Sequence, residues 1–172
     1  MIVLNEKIYS LFEFDDEAQI ALFNPINDGV MGGVSQSALV LSDDKTARFL
    51  GSVSLENNGG FASIRASLDC ADLSDYKGIV LRVRGDGKRY KLRLTNSAAF
   101  DTVVYESTFV SPKEYWSEVQ IPFSSLKPKW RGKLVEGAPE FDKKKVSGLG
   151  LMISEKQAGE FVLSVDWIRA YR

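Results

Sequence analysis

Apolar and polar residues alternate with a period of two along most of the chain. Between Ala47 and Leu55, residues 47, 49, 53 and 55 share an apolar face. Ala62, Ile64, Ala66 and Leu68 repeat the pattern, then Ile79, Leu81 and Val83, then Tyr90, Leu92 and Leu94. Thr102 to Val110, Ser117 to Ile121, Gly148 to Ser154 and Phe161 to Tyr171 continue it. A strand turns successive side chains to opposite faces, so this spacing predicts half-buried strands. Many such strands divided by turn residues predict an all-β sandwich or barrel with few short helices. The helical candidates are a turn near Asp15–Ala21 and another near Leu73–Tyr76. Trp167 alternates with Phe161, Leu163 and Val165, which predicts a core position for it.

Turn residues suggest how the strands connect. Asn57-Asn58-Gly59-Gly60 tolerates positive φ angles. Asp86-Gly87 is a hairpin signal, and a two-residue turn there opposes Arg84 to Arg89, Arg82 to Lys91 and Val80 to Arg93. The polar face of that hairpin would carry five cations, and like charges directly opposite one another are destabilising. Solvent, an anionic ligand, or Glu106 and Asp166 from later strands could offset them. Lys156 to Gly159 separates the last two strands. Lys127 to Lys145 carries Pro128, Pro139, Gly132, Gly137 and seven Lys or Arg residues, which predicts a long surface loop. No repeat or composition shift marks a second unit, so residues 1–172 are expected to form a single domain.

Composition narrows the chemistry. The sequence has no histidine, which removes the commonest general base and the commonest metal ligand. Cys70 stands alone, so neither an internal disulfide nor a cysteine-rich zinc site can form. A Glu106–Asp166 carboxylate pair is the one hydrolytic arrangement left to consider. Asp69, Asp72 and Asp75 lack a calcium-loop spacing and read as solvated turn acids. The expectation is a non-enzyme with no cofactor and no metal. A net charge of -1 gives no global pull toward nucleic acid. No apolar run approaches the roughly 20 residues of a membrane-spanning helix. Residues 1–17 show neither a secretory pattern nor the Arg-rich, acid-poor composition of a transit peptide, which points to the cytoplasm.

Two further features invite a binding role. Asn27-Asp28-Gly29-Val30-Met31-Gly32-Gly33-Val34-Ser35 is a glycine-rich string whose amides could cradle an anion, or simply a tight loop between strands. Trp130, inside Pro128-Lys129-Trp130-Arg131-Gly132, is the tryptophan expected to be exposed.

Several segments together resemble the complex I intermediate-associated protein 30 family. They are residues 27–35, Gly59-Gly60-Phe61-Ala62-Ser63, and Arg82-Val83-Arg84-Gly85-Asp86-Gly87 with Tyr90. Trp116, Ile121-Pro122-Phe123, Arg131-Gly132 and Lys156 to Phe161 follow in the family's order. The resemblance implies a galactose-binding-like jelly-roll β-sandwich. It also implies a non-catalytic, protein-binding role as an assembly factor or chaperone for a respiratory or other membrane-enzyme complex. A sugar-binding module is the alternative, and a small anionic ligand is also considered. The candidate binding residues are Asn27, Asp28, Arg65, Arg82, Arg84, Trp130, Arg131 and Gln157.

Overall fold

The computed structural model describes residues 8–172. The strands are β1 (Ile8–Glu13), β2 (Asn24–Pro25), β3 (Gln36–Leu41), β4 (Ala47–Val53) and β5 (Ala62–Ala71). They continue as β6 (Gly78–Arg84), β7 (Arg89–Thr95), β8 (Val104–Val110) and β9 (Ser117–Pro122). The last are β10 (Lys127–Trp130), β11 (Lys133–Leu134), β12 (Val146–Ile153) and β13 (Gly159–Tyr171). One α-helical turn, α1 (Glu17–Ile20), is capped by the Asp16 carboxylate, which accepts from the Gln19 N–H at 3.2 Å.

All pairings between these strands are antiparallel, and they form two sheets. One runs β3-β4-β13-β6-β9, with β1 added alongside β13. The other runs β11-β10-β8-β7-β12-β5-β2. The alternating apolar residues face inward from both sheets and make one contiguous core. Phe49 of β4 meets Tyr90 of β7 at 6.2 Å and Phe161 of β13 at 5.0 Å, joining the two layers through edge-on aromatic contacts.

Three expectations change. The Asp86-Gly87 turn is not a hairpin. β6 pairs with β13 and β9, β7 pairs with β12 and β8, and the turn carries the chain from one sheet to the other. Gly87 does take the positive φ, 85°, that the dipeptide advertises. The Asp86 carboxylate accepts from the Tyr90 hydroxyl at 2.9 Å and from the Val162 N–H at 3.0 Å. That ties the crossover to β13. Local turn chemistry fixes backbone angles but not the partner of the next strand.

Trp167 is buried but stands outside the core. The register of β13 against β6 slips between Val165 and Trp167, so Trp167 opposes Arg82 and Ile168 takes the inward place beside Leu81. An extra residue in one strand swaps its faces from that point onward. Lastly, the basic segment after Leu126 is not all loop. Its first residues form β10, paired with β8, and turn back through Arg131 and Gly132 into β11.

Candidate functional site

The two sheets treat their outward cations differently. On the six-stranded sheet, Arg82 pairs with Asp166 at 3.1 Å and lies 4.9 Å over the Trp116 ring. Arg169 stacks 3.9 Å over Trp167 and makes two hydrogen bonds to Glu13, at 2.7 and 2.9 Å. The Glu13 carboxyl is held below its ordinary pKa, chiefly by the hydrogen bond from Arg169. Arg84 is exposed.

The seven-stranded sheet is arranged otherwise. Residues directly opposite in an antiparallel pair share a face. Asn24, Arg65, Gly150, Arg93, Glu106 and Lys127 therefore form one row across β2, β5, β12, β7, β8 and β10. A neighbouring row is Ser67, Gly148, Thr95, Val104 and Lys129. Ser63, Met152, Lys91 and Thr108 make a third. Val104, Glu106 and Met152 face outward here yet are buried, at 3%, 7% and 8% exposure. Neighbouring side chains cover them, and the strip of β12 between Arg65 and Arg93 is here termed the trough.

Along the middle of the trough run Gly148 and Gly150, which carry no side chain and are themselves buried. A side chain at Gly150 would begin 2.7 Å from the Ile64 carbonyl oxygen, so glycine is required by close backbone approach. The walls carry charge. Glu106 accepts from Arg93 Nε at 3.1 Å and lies 3.4 Å from Lys91 Nζ. Arg65 has no carboxylate within ion-pair distance among the described residues; its Nη1 donates to the Phe100 carbonyl at 3.3 Å. Burial, with Arg93 adding repulsion, holds the Arg65 guanidinium below its ordinary pKa. Arg65, Lys91, Arg93, Lys127 and Lys129 thus share these rows with one acid, Glu106.

One rim is locked in place. Asp101 accepts from Trp130 Nε1 at 3.0 Å and from Arg131 Nη2 at 2.8 Å, and Arg131 stacks 4.5 Å over the Trp130 ring. This joins the segment after Asn96, with exposed Phe100, to the β10–β11 turn.

The structure divides the eight candidate residues. Arg65, Trp130 and Arg131 come together through residues 100–101. Arg82 and Arg84 stand on the other sheet, so the cationic sets of β6 and β7 do not share a face. The Glu106–Asp166 pair is likewise split between the two sheets. Asp28 is fully buried and acts as a hub: it accepts from the Ser35 N–H and hydroxyl at 2.9 and 2.6 Å and from the Gly60 N–H at 2.8 Å. Asn27 Oδ1 accepts from the Ser37 hydroxyl and the Ser63 N–H. Gln157 clamps the Arg89 backbone, accepting from its N–H at 3.0 Å and donating to its carbonyl at 2.8 Å. The glycine-rich string is therefore a braced loop with its carboxylate turned inward. Sequence reasoning passed over Lys127, Lys129 and the glycine strip; the visible signal was Gly148-x-Gly150, two glycines in outward register on an otherwise apolar strand.

Two antiparallel sheets packed on one core define the class: a galactose-binding-like jelly-roll β-sandwich. A family 11 carbohydrate-binding module from Clostridium thermocellum superposes with a TM-score of 0.70 at 16% identity, covering 96% of this chain and 95% of that one. A family 30 carbohydrate-binding module superposes with a TM-score of 0.57, also at 16% identity, covering 96% and 99%. Identity that low shows the fold alone.

The chain belongs to the complex I intermediate-associated protein 30 (CIA30) family, whose model matches residues 12–165. An uncharacterized protein of Schizosaccharomyces pombe is 32% identical over 86% of this chain and 77% of its own length. The mitochondrial complex I intermediate-associated protein 30 of Mus musculus is 25% identical over 98% of this chain, and its probable counterpart in Caenorhabditis elegans is 26% identical over 81%. The chain spans 58% and 46% of those two proteins. Their names, and that of the Drosophila melanogaster relative, correct the cytoplasmic expectation, since all three are called mitochondrial. That expectation rested on the absence of an address pattern, and addresses are read by receptors separately from the fold.

Proposed function

We propose that this chain is a non-catalytic protein-binding domain that takes part in assembling a respiratory membrane complex. In this reading it holds its partner on the trough of the seven-stranded sheet. The carrying observation is the family match over residues 12–165. The relatives named mitochondrial support a mitochondrial setting. Among the described residues no helix is long and apolar enough to cross a membrane.

The sugar-binding alternative draws only on fold likeness. Glycan platforms use aromatic faces against the apolar side of the sugar ring. The outward positions paired across β5, β12, β7 and β8 include no aromatic residue. Affinity capture from solubilised mitochondrial membranes tests the proposal, with native electrophoresis and mass spectrometry to identify what is held. Wild type should retain subunits of a complex I intermediate. Ser67→Trp, which places bulk on the exposed edge of the trough, should retain several-fold less. Recovery of no respiratory subunit by wild type would sink the proposal.

A further inference from the structure

The trough has a charge imbalance that the protein leaves uncorrected. The two faces of the sandwich make the contrast. On the six-stranded sheet, Arg82 and Arg169 each have a carboxylate and an aromatic ring, and the cations without an ion pair among the described residues, Arg48 and Arg84, are exposed to solvent. On the seven-stranded sheet, Glu106 is shared by Arg93 and Lys91, and Arg65 has no acid among the described residues. Arg65 and Arg93 both oppose Gly150 in the sheet register, one from each side. Their guanidinium groups thus flank a strip with no side chain on it. A half-buried cation beside a second cation is costly unless an anion joins them, because lost solvation is not replaced. Arginine's planar fork suits a carboxylate, which it can hold through two parallel hydrogen bonds.

Charge points to one occupant. Strands lie about 4.8 Å apart, so the backbones of β5 and β7 stand roughly 10 Å from each other across β12. Gly148 and Gly150 between them are buried, so an incoming group meets the flanking side chains, Arg65 above all, and not the strip itself. Lys127 and Lys129 extend the positive charge along β10.

We propose that the trough takes an acidic segment of a partner protein, with one carboxylate seated against Arg65 beside Arg93. This rests on the protein-binding reading above and adds the chemistry of the partner. Glu106 stays paired with Arg93 and Lys91, and the incoming carboxylate supplies the acid that Arg65 lacks.

Fluorescence anisotropy tests it with two labelled peptides, one alternating aspartate with threonine and one with asparagine in place of each aspartate. Wild type should bind the aspartate peptide and not the asparagine peptide. Binding should weaken as salt shortens the Debye length from about 10 Å at 0.1 M. Arg65→Ala should weaken it by on the order of tenfold, the worth of one charge-assisted hydrogen bond. Lys127→Glu, at an exposed position that leaves folding intact, should weaken it several-fold. Equal binding of the two peptides overturns the proposal. So does unchanged affinity in both variants, or displacement of the aspartate peptide by inorganic phosphate at concentrations where acetate has no effect.

The two readings fail separately. If the aspartate peptide does not bind while Arg65→Ala captures respiratory subunits as well as wild type, the acidic-segment proposal falls and the assembly role stands. If the peptide binds as described but wild type captures no subunit, the assembly role falls and the acidic site stands.

Discussion

Asp28 shows how a residue that looks like a ligand group can be a brace. Its carboxylate gathers the Ser35 and Gly60 donors, with the Phe61 N–H further off at 3.4 Å, and so pins two loops together. Burial pushes its pKa up, but these hydrogen bonds outweigh burial and the net direction is down. Asparagine offers one acceptor oxygen where the carboxylate uses two. Asp28→Asn should therefore cost about 3 kcal/mol at neutral pH, read from urea unfolding. The pH dependence has a definite sign. A carboxyl depressed in the fold stabilises fully above its unfolded pKa, about 3.9, and loses that contribution as pH falls through the lower folded value. The gap between wild type and Asp28→Asn should thus be constant down to about pH 5 and close below about pH 4. A gap that holds at pH 3 would show that the ionised carboxylate is not what matters. The sequence displayed this residue in its most distinctive string, but it could not show that the donors would come from residues 35 and 60. The burial that separates brace from ligand group arises only when two distant loops meet.

At the scale of elements, β12 makes both the core and the trough. Leu149, Leu151 and Ile153 face inward, while Gly148, Gly150 and Met152 face outward. Gly150→Val would drive its Cβ against the Ile64 carbonyl. It should destabilise by about 1–3 kcal/mol, measured as a lower denaturant midpoint with an unchanged m-value. A variant as stable as wild type would mean that β12 shifts to make room. Strand positions and inward faces were legible from alternation, because burial on one side imposes period two directly on the residues. Pairing was not. The Asp86-Gly87 dipeptide marks a positive φ in a hairpin and in a sheet-to-sheet crossover alike, and only the strands beyond it decide which forms. The same holds for Trp167, whose alternation with Val165 reads as core until a register slip against β6 turns it outward.

The whole molecule stands on one core shared by two sheets, with contacts such as Phe49–Tyr90 crossing between them. Neither sheet can bury its apolar face alone, so unfolding should be cooperative. We expect far-ultraviolet circular dichroism and tryptophan fluorescence to give coincident urea transitions, as a single domain over residues 1–172 requires. Two separated transitions would mean that the sheets fold as independent units. Charge also has meaning only at this scale. A chain with a net charge of -1 looks indifferent to ionic partners. The fold nevertheless gathers Arg65, Lys91, Arg93, Lys127 and Lys129 from three strands onto one trough beside a single acid.

The sequence by itself determined the all-β class, the inward residues of most strands, the turns and the family. Each is written in neighbouring residues, through side-chain alternation, φ-tolerant turn residues and short segments that follow the family's order. Only the tertiary structure decided which strands share a sheet, that Asp28 faces inward, and that Arg82 and Arg84 lie away from Arg65. Those outcomes depend on residues far apart in the chain meeting across a register. A shift of one position, as at Trp167, moves a side chain from one face to the other.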